Sequence, residues 1–397
     1  GSGSTGNVVA GNYIGLDATG TVDLGNTNQG VAIFSGATYN TVGGTTASAR
    51  NVISGNNQVG VRINDSGTNN NTISGNYIGT NAAGTGAVGN TLQGVQIDAG
   101  SANIIGGTVA GAGNVISGNL DNGILITNGG VNNYVQGNIV GLDASGNSVL
   151  ANAQEGIEVA GGASGTWIGG TTSATRNIIS GNTWQGIGIY GATTDGTVIR
   201  GNWIGVAADG TTARGNEKQS ILVMDATNTM IGGSNTGEGN VIANARNFHQ
   251  GIVIDGTATG AVMIGNSIYA NGSLGIDVGG DVASIALAEV TEADMNNGGI
   301  WNAWVDYDST TTTLEVRLTQ AATRPTAALL SVVRDISLDL GANSAYVGFT
   351  SGTGLAWANH DVLNWQLNDN YSPIDPGNNV PEPASLALAG VGLALLG

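Results

Sequence analysis

Aliphatic residues in this chain sit on alternate positions within short runs, and the runs return at regular intervals. GVAI (30–33), GVRI (60–63), GVQI (94–97), GILI (123–126), GIEV (156–159), GIGI (186–189), SILV (220–223), GIVI (251–254) and GIDV (275–278) are copies of one segment, spaced by about 30 residues. In each copy two aliphatics flank a residue of mixed character: Val61 and Ile63 flank Arg62, and Ile157 and Val159 flank Glu158. A period of two with one apolar side predicts a half-buried strand. Two further sets keep pace with the first. A second strand contributes Val42, Ile73, Ile105, Val135, Ile168, Ile199, Ile231 and Ile264. A third contributes Ile14, Ile53, Ile78, Ile116, Val140, Ile179, Ile204, Ile242 and Ile268. The period predicts an all-β solenoid of three strands per coil and about nine coils, with like residues stacked on like.

The polar positions repeat as strictly. NVISGN occupies 51–56 and 114–119 and returns as NIISGN at 177–182, 63 positions apart each time. One Asn opens the third strand in every coil: Asn12, Asn51, Asn76, Asn114, Asn138, Asn177, Asn202, Asn240 and Asn266. Parallel strands stack about 4.8 Å apart, so each of these amides can donate to the carbonyl of the next and form a ladder. Asn also tolerates the backbone of a sharp bend. Gln is too long for the turn, and Asp would stack like charges. Long connections follow the third strand in alternate coils, at 16–29, 80–93, 142–155 and 206–219, while the other coils carry a link before it, at 43–50, 106–113, 169–176 and 232–239. Loop rows therefore stack on every second coil.

This pattern resembles the right-handed parallel β-helix, the pectate-lyase-like fold, over residues 7–280. The resemblance implies right-handed coiling, which is also the preference of parallel crossovers. It does not specify an activity, because this fold hosts lyases, hydrolases, adhesins and inert spacers.

Composition narrows the chemistry. There are 69 Gly and 5 Pro among 397 residues, and the net charge is −18, with Lys218 the only lysine. Such a surface repels nucleic acid and anionic membrane, so neither is expected as a partner. No Cys and two His exclude disulfides, structural zinc, haem and iron–sulfur clusters. On the outer strand positions Glu158 has Leu125 and Gly188 as neighbours, Asp277 follows Val253, Arg62 lies between Ala32 and Gln96, and Asp98 lies beside Asn64 and Thr127. These read as scattered solvated charges with no paired carboxylates, so no catalytic residue and no metal ligand is assigned. Asp17 and Asp23 flank a Gly-rich loop, and Asp143 and Asp209 recur at comparable positions, with Asn81 in the second unit. They are turn residues or, as the alternative, calcium ligands. A third outward row places Tyr13, Tyr77 and Trp203 on alternate coils, as a sugar platform, a protein interface, or rings covered by the neighbouring loops.

The period ends after GIDVGG. VDYDSTTTTLEVRL reads as strand, turn, strand, with Leu314, Val316 and Leu318 alternating with Glu315 and Arg317, and SAYVGFTSGTG with NHDVLNWQL reads as two more strands. AWVDYDSTTTTLEVRL, AYVGFTSGTG and HDVLNWQL resemble the C-terminal half of an L-type (legume-type) lectin domain, an antiparallel sandwich. The front half of that domain, with its metal ligands, has no counterpart before Ile300. The resemblance implies a sugar-contacting loop at Gly354, Leu355, Ala356, Trp357, Ala358 and Asn359, where Trp357 would stack on a ring and Asn359 bond a hydroxyl. His360, without an acid partner, is a turn residue.

Val380–Pro381–Glu382–Pro383, followed by 14 small or apolar residues at 384–397, resembles the PEP-CTERM sorting signal of Gram-negative bacteria. The run is shorter than a span of about 20 residues, and the basic cluster that closes the family pattern is missing. The resemblance implies export, exosortase-type processing, transient membrane anchoring in a precursor, and release or attachment at the cell surface. The expected plan is a parallel β-helix at 1–280, a cap or linker at 281–299, a partial lectin-like β domain at 300–370, a linker with the PEP motif at 371–383 and a truncated sorting segment at 384–397. Opening at Gly1 inside a repeat, the chain reads as a fragment of a longer precursor. The expected function is non-catalytic: adhesion or matrix association at the surface of a Gram-negative bacterium, with a polysaccharide or glycan as partner. The alternatives are a polysaccharide lyase or glycoside hydrolase on the same scaffold, and a structural spacer.

Overall fold

The computed structural model describes residues 1 and 3–279, the strands Asn302–Asp308, Thr313–Thr319 and Leu330–Val333, and the single residues Ala321 and Thr326. The chain divides into two compact units, Gly1–Asp281 and Val282–Gly397. The first holds three parallel sheets of nine strands each, and every strand pairs with its counterpart in the next coil. The coils form a right-handed parallel β-helix.

Register is kept residue for residue. Ile124 pairs with Val95 on one side and Ile157 on the other, Ile105 with Ile73 and Val135, and Ile116 with Ile78 and Val140. The three aliphatic columns meet in one continuous core, in which Ile53, Ile63, Ile73, Ile78, Ile97, Ile105 and Ile116 are fully buried. Each such side chain contributes about 1.5–3 kcal/mol relative to exposure. One expected member is corrected. Ile264 is 46% exposed, and Met263 pairs with Ile231 and packs on the core in its place. In the coils without a link before the third strand the inward residue stands three positions before the corner Asn, as Ile199 does before Asn202, and three before Asn266 is Met263.

The Asn ladder runs along one corner. From Asn12 to Asn266 each Nδ2 donates to the next Oδ1 at 2.8–3.0 Å. The same oxygen also accepts the backbone N–H of the preceding rung, as Asn138 Oδ1 does from Asn114 at 3.0 Å. The other two corners carry ladders as well. Asn26, Asn56, Asn90, Asn119, Asn152, Asn182 and Asn216 form one. Asn7, Asn40, Asn71, Asn103 and Asn133 form another, which gives way to the buried threonines Thr166, Thr197 and Thr229.

Five of the six residues of NVISGN have a structural role in the corners, the core or the turn. Asn51 and Asn56 are rungs of two different ladders. Ile53 enters the core, and Ser54 Oγ donates to Thr80 O at 2.7 Å while accepting the Gly79 N–H, tying one coil to the next. Gly55 turns with φ +74°. The long loops are small antiparallel bridges, Leu16–Asp23 and Leu142–Val149 among them. They stack on alternate coils through Ala82 N–H to Gly20 O and Ala144 N–H to Gly84 O, at 2.8 and 2.9 Å.

In the second unit Asn302–Asp308, Thr313–Thr319 and Leu330–Val333 form an antiparallel sheet, in which Val305 faces Val316 and Tyr307 faces Leu314. The expected strand pair across VDYDSTTTTLEVRL is present. The linker at 281–299, the strands expected at 344–354 and 359–367, and the tail lie outside the described residues.

Candidate functional site

Two rings of the outward aromatic row, Tyr77 and Trp203, are covered, one of the three outcomes the sequence left open. Tyr13 is 48% exposed, but the Arg50 guanidinium lies 4.1 Å over the Tyr77 ring and Arg176 lies 4.3 Å over Trp203. The turn glycines of the stacked loops close in from another side. A Cβ on Gly84 would stand 2.8 Å from Tyr77, and one on Gly210 would stand 2.8 Å from Trp203. The sequence carried a signal for this. Arg stands before the corner Asn at 50 and 176, where the next coil offers a ring, and Gly stands there at 113 and 239, where it offers Ile139 or Ser267.

The loop aspartates turn their carboxylates onto their own loops. Asp17 accepts from the N–H groups of Val22 and Thr21 and the Thr19 hydroxyl, which hold its carboxyl down to about 2. In Asp143 partial burial acts to raise the carboxyl, and the Ser148 N–H, the Ser145 hydroxyl and the Asn147 N–H outweigh it and keep it low. Asp209 accepts from Thr211 and Thr212, and Asp23 from the Gly25 N–H. These are turn-closing bonds. Among the described residues no group of three or more His, Asp or Glu is arranged to hold a metal ion.

The outer charges are not all scattered, which corrects the sequence reading. Arg62 pairs with Asp98 at 2.7 Å. More telling is the surroundings of Glu158. Its sheet neighbours are Leu125 and Gly188 as expected, yet Glu155, three residues earlier in the same coil, and Asp121 in the preceding coil lie close enough to act on it. Burial first, then the Glu155 charge, and more weakly Asp121, push the Glu158 carboxyl above its ordinary value, against the Asn122 amide that donates to it at 2.5 Å. Tyr190 comes from the next coil. Gly188 leaves room for its ring, since a Cβ there would stand 2.4 Å from Tyr190 Cε2, and the phenol donates to Glu155 Oε1 at 2.9 Å. Burial and then Glu155 push that phenol well above its ordinary range. Neither residue pairing was visible in the sequence, because Glu155 sits in the bend before the strand and Tyr190 reaches back across two positions.

The loop implied by the lectin resemblance, Gly354, Leu355, Ala356, Trp357 and Asn359, lies outside the described residues.

Comparison with known proteins bears on the second unit. A model of the legume lectin domain matches residues 268–383. The match opens inside the last coil, so that Ile276–Val278, paired in parallel with Ile252–Ile254, falls within it. The chain is similar to Lectin 1 of Laburnum alpinum, 32% identical over 106 residues that cover 26% of this chain and 40% of that one. It is also similar to the L-type lectin-domain containing receptor kinase IV.1 of Arabidopsis thaliana, 38% identical over 74 residues, 18% of this chain and 11% of the kinase. The chain thus spans well under half the length of these relatives. Among solved structures, the periplasmic alginate epimerase AlgG covers 61% of this chain and 50% of its own at 15% identity and a TM-score of 0.43. The Azotobacter vinelandii mannuronan C-5 epimerase AlgE4 A-module covers 69% and 88% at 16% identity and a TM-score of 0.26. At that level of likeness neither name bears on the chemistry of this chain.

Proposed function

We propose that this chain is a non-catalytic, exported bacterial surface protein that holds on to glycan through its lectin-like residues, with the β-helix as a rigid spacer. The observation that carries the reading is the legume lectin match at 268–383. The solenoid supports the spacer role. Three amide ladders and one uninterrupted core make a rod whose coils each contact their neighbours. In this reading residues 281–299 link or cap, 300–370 carry the lectin-like strands, and Trp357 and Asn359 contact the sugar. The run from Val380 to Gly397 is read as a sorting segment processed by an exosortase-type enzyme at the membrane of a Gram-negative bacterium, which leaves the protein at the cell surface or in an exopolysaccharide matrix.

Glycan-array binding by the full chain and by Trp357→Ala tests the reading. The wild type binds a defined set of glycans and the variant loses them. Binding that is absent, or unchanged in the variant, refutes the lectin role. Incubation with the bound glycan releases neither new reducing ends nor unsaturated products.

A further inference from the structure

The outward row of the third strand leaves one hollow. Tyr13, Val52 and Tyr77 stand side by side in register on three successive coils. The two rings are two strand spacings apart, about 9.6 Å, and the shorter Val52 between them is a buried floor. Among the described residues no other short member of this row has a ring on both sides: Val115 stands between Tyr77 and Ile139, and Val241 between Trp203 and Ser267. The result is a cavity of about 340 Å³, lined by Tyr13, Ser48, Arg50, Val52 and Ala82 among others. That volume lies at the lower end of the range for small-ligand sites.

Arg50 brings charge to this cavity. Its guanidinium is stacked on Tyr77, and its Nε donates to Gly75 O at 3.4 Å. Its two Nη groups hold no hydrogen bond, neither is buried, and no Asp or Glu pairs with Arg50 among the described residues. Stacking fixes the plane of the fork and leaves its outer edge to a ligand. Across the cavity the half-exposed Tyr13 ring has no cation over it. The Ser48 hydroxyl bonds only to Thr46 Oγ1, at 3.1 Å, and keeps capacity for a second partner. The adjoining loop presents no free acid, because the Asp17 carboxylate is taken up by Thr19, Thr21 and Val22.

We propose that this cavity binds a pyranose bearing a single acid group, a carboxylate or a sulfate ester, with the sugar face against Tyr13 and the acid oxygens on the Arg50 fork. A planar guanidinium suits two oxygens of one oxyanion. An aromatic wall with hydroxyls at its edge matches the apolar face and polar rim of a sugar. The chain's net charge of −18 repels a polyanion, so the acid stands alone on an otherwise neutral glycan. Arg176 is the internal control: it is stacked in the same way on Trp203, but the coil before it offers Ile139 in place of a ring. This site is separate from the lectin-like residues and stands or falls without them.

Ligand-observed NMR titration of the full chain tests it, with methyl glucuronide, methyl glucoside 6-sulfate, methyl glucoside and benzoate as probes. An acidic glucoside binds, and the tighter of the two tells carboxylate from sulfate. The neutral glucoside and benzoate bind about tenfold more weakly or not at all. Arg50→Gln weakens the acidic glucoside about tenfold, the scale of a charge-assisted contact, and Tyr13→Ala weakens it about fivefold. Arg176→Gln and Trp357→Ala leave it unchanged, so failure of the lectin reading and failure of this site are told apart. Tyr13 is half-exposed, so Tyr13→Ala folds even if Arg50→Gln, which uncovers Tyr77, does not. No binding of either acidic glucoside, equal binding of the neutral glucoside or of benzoate, full retention by Arg50→Gln or by Tyr13→Ala, or loss in Arg176→Gln or Trp357→Ala overturns the proposal.

Discussion

Replacing Asn138 by Ala removes the middle rung of the longest ladder. Its Nδ2 donates to Asn177 Oδ1 at 3.0 Å and Ile105 O at 2.9 Å, and its Oδ1 accepts the Asn114 side chain at 2.9 Å and the Asn114 backbone N–H at 3.0 Å. The losses differ in kind. Asn177 Oδ1 keeps the Asn138 backbone N–H, and Asn114 Nδ2 keeps Ile73 O, so each falls back on a remaining bond. The Asn114 backbone N–H keeps nothing, and Asn114 is buried. One orphaned buried donor costs about 1–3 kcal/mol and each of the three further lost bonds about 0.5–1.5 kcal/mol, which gives a total of about 2.5–7.5 kcal/mol. Asn12→Ala is the internal comparison. Asn12 is the exposed first rung and accepts from no earlier one, so its loss costs less than about 1 kcal/mol. Urea denaturation followed by circular dichroism compares the two midpoints. Equal destabilisation by the two variants, or a cost below about 1 kcal/mol at Asn138, would refute the ladder as a source of stability.

Two further outcomes follow from the structure. Gly106 has φ +93°, and a Cβ there would stand 1.8 Å from Gln136 O, so Gly106→Ala adds a backbone clash to a strain of about 1–3 kcal/mol and lowers the thermal midpoint more than any exposed Gly→Ala change, which a melting curve checks. Glu158→Gln is more stable than the wild type at neutral pH and equal to it near pH 4. Because folding raises this carboxyl above its ordinary 4.5, the unfolded chain ionises first, and the fold loses stability as pH rises through the window between the two values. Urea midpoints measured across that range test the sign, and a difference that grows toward acid would contradict it.

The solenoid was legible because its signal is repeated nine times. A single VAI or VRI segment is too short to distinguish strand from helix, but Val31, Val61 and Val95 in step with Ile14, Ile53 and Ile78 leave one architecture. The corner Asn was legible for the same reason. The second ladder lay in plain sight, in the last Asn of NVISGN. It was harder to see because its alternate rungs, Asn26, Asn90, Asn152 and Asn216, lie inside the long loops and break the spacing. The third hid because its column changes residue type from Asn133 to Thr166. Met263 was missed for Ile264 because counting forward along a short strand accumulates error that counting back from Asn266 does not. The Glu155–Tyr190 contact depends on a side chain lying along the sheet over a glycine, which no strand alternation encodes.

Native-state hydrogen exchange followed by NMR tests the stacked corners most directly. The account gives each backbone N–H bonded to a side-chain Oδ1, from Asn51 through Asn202, protection comparable to the core strand amides beside it. Exchange of those amides at the rate of the exposed loop residues, while Ile53 and Ile116 remain protected, would show that the coils are held by their aliphatic columns alone.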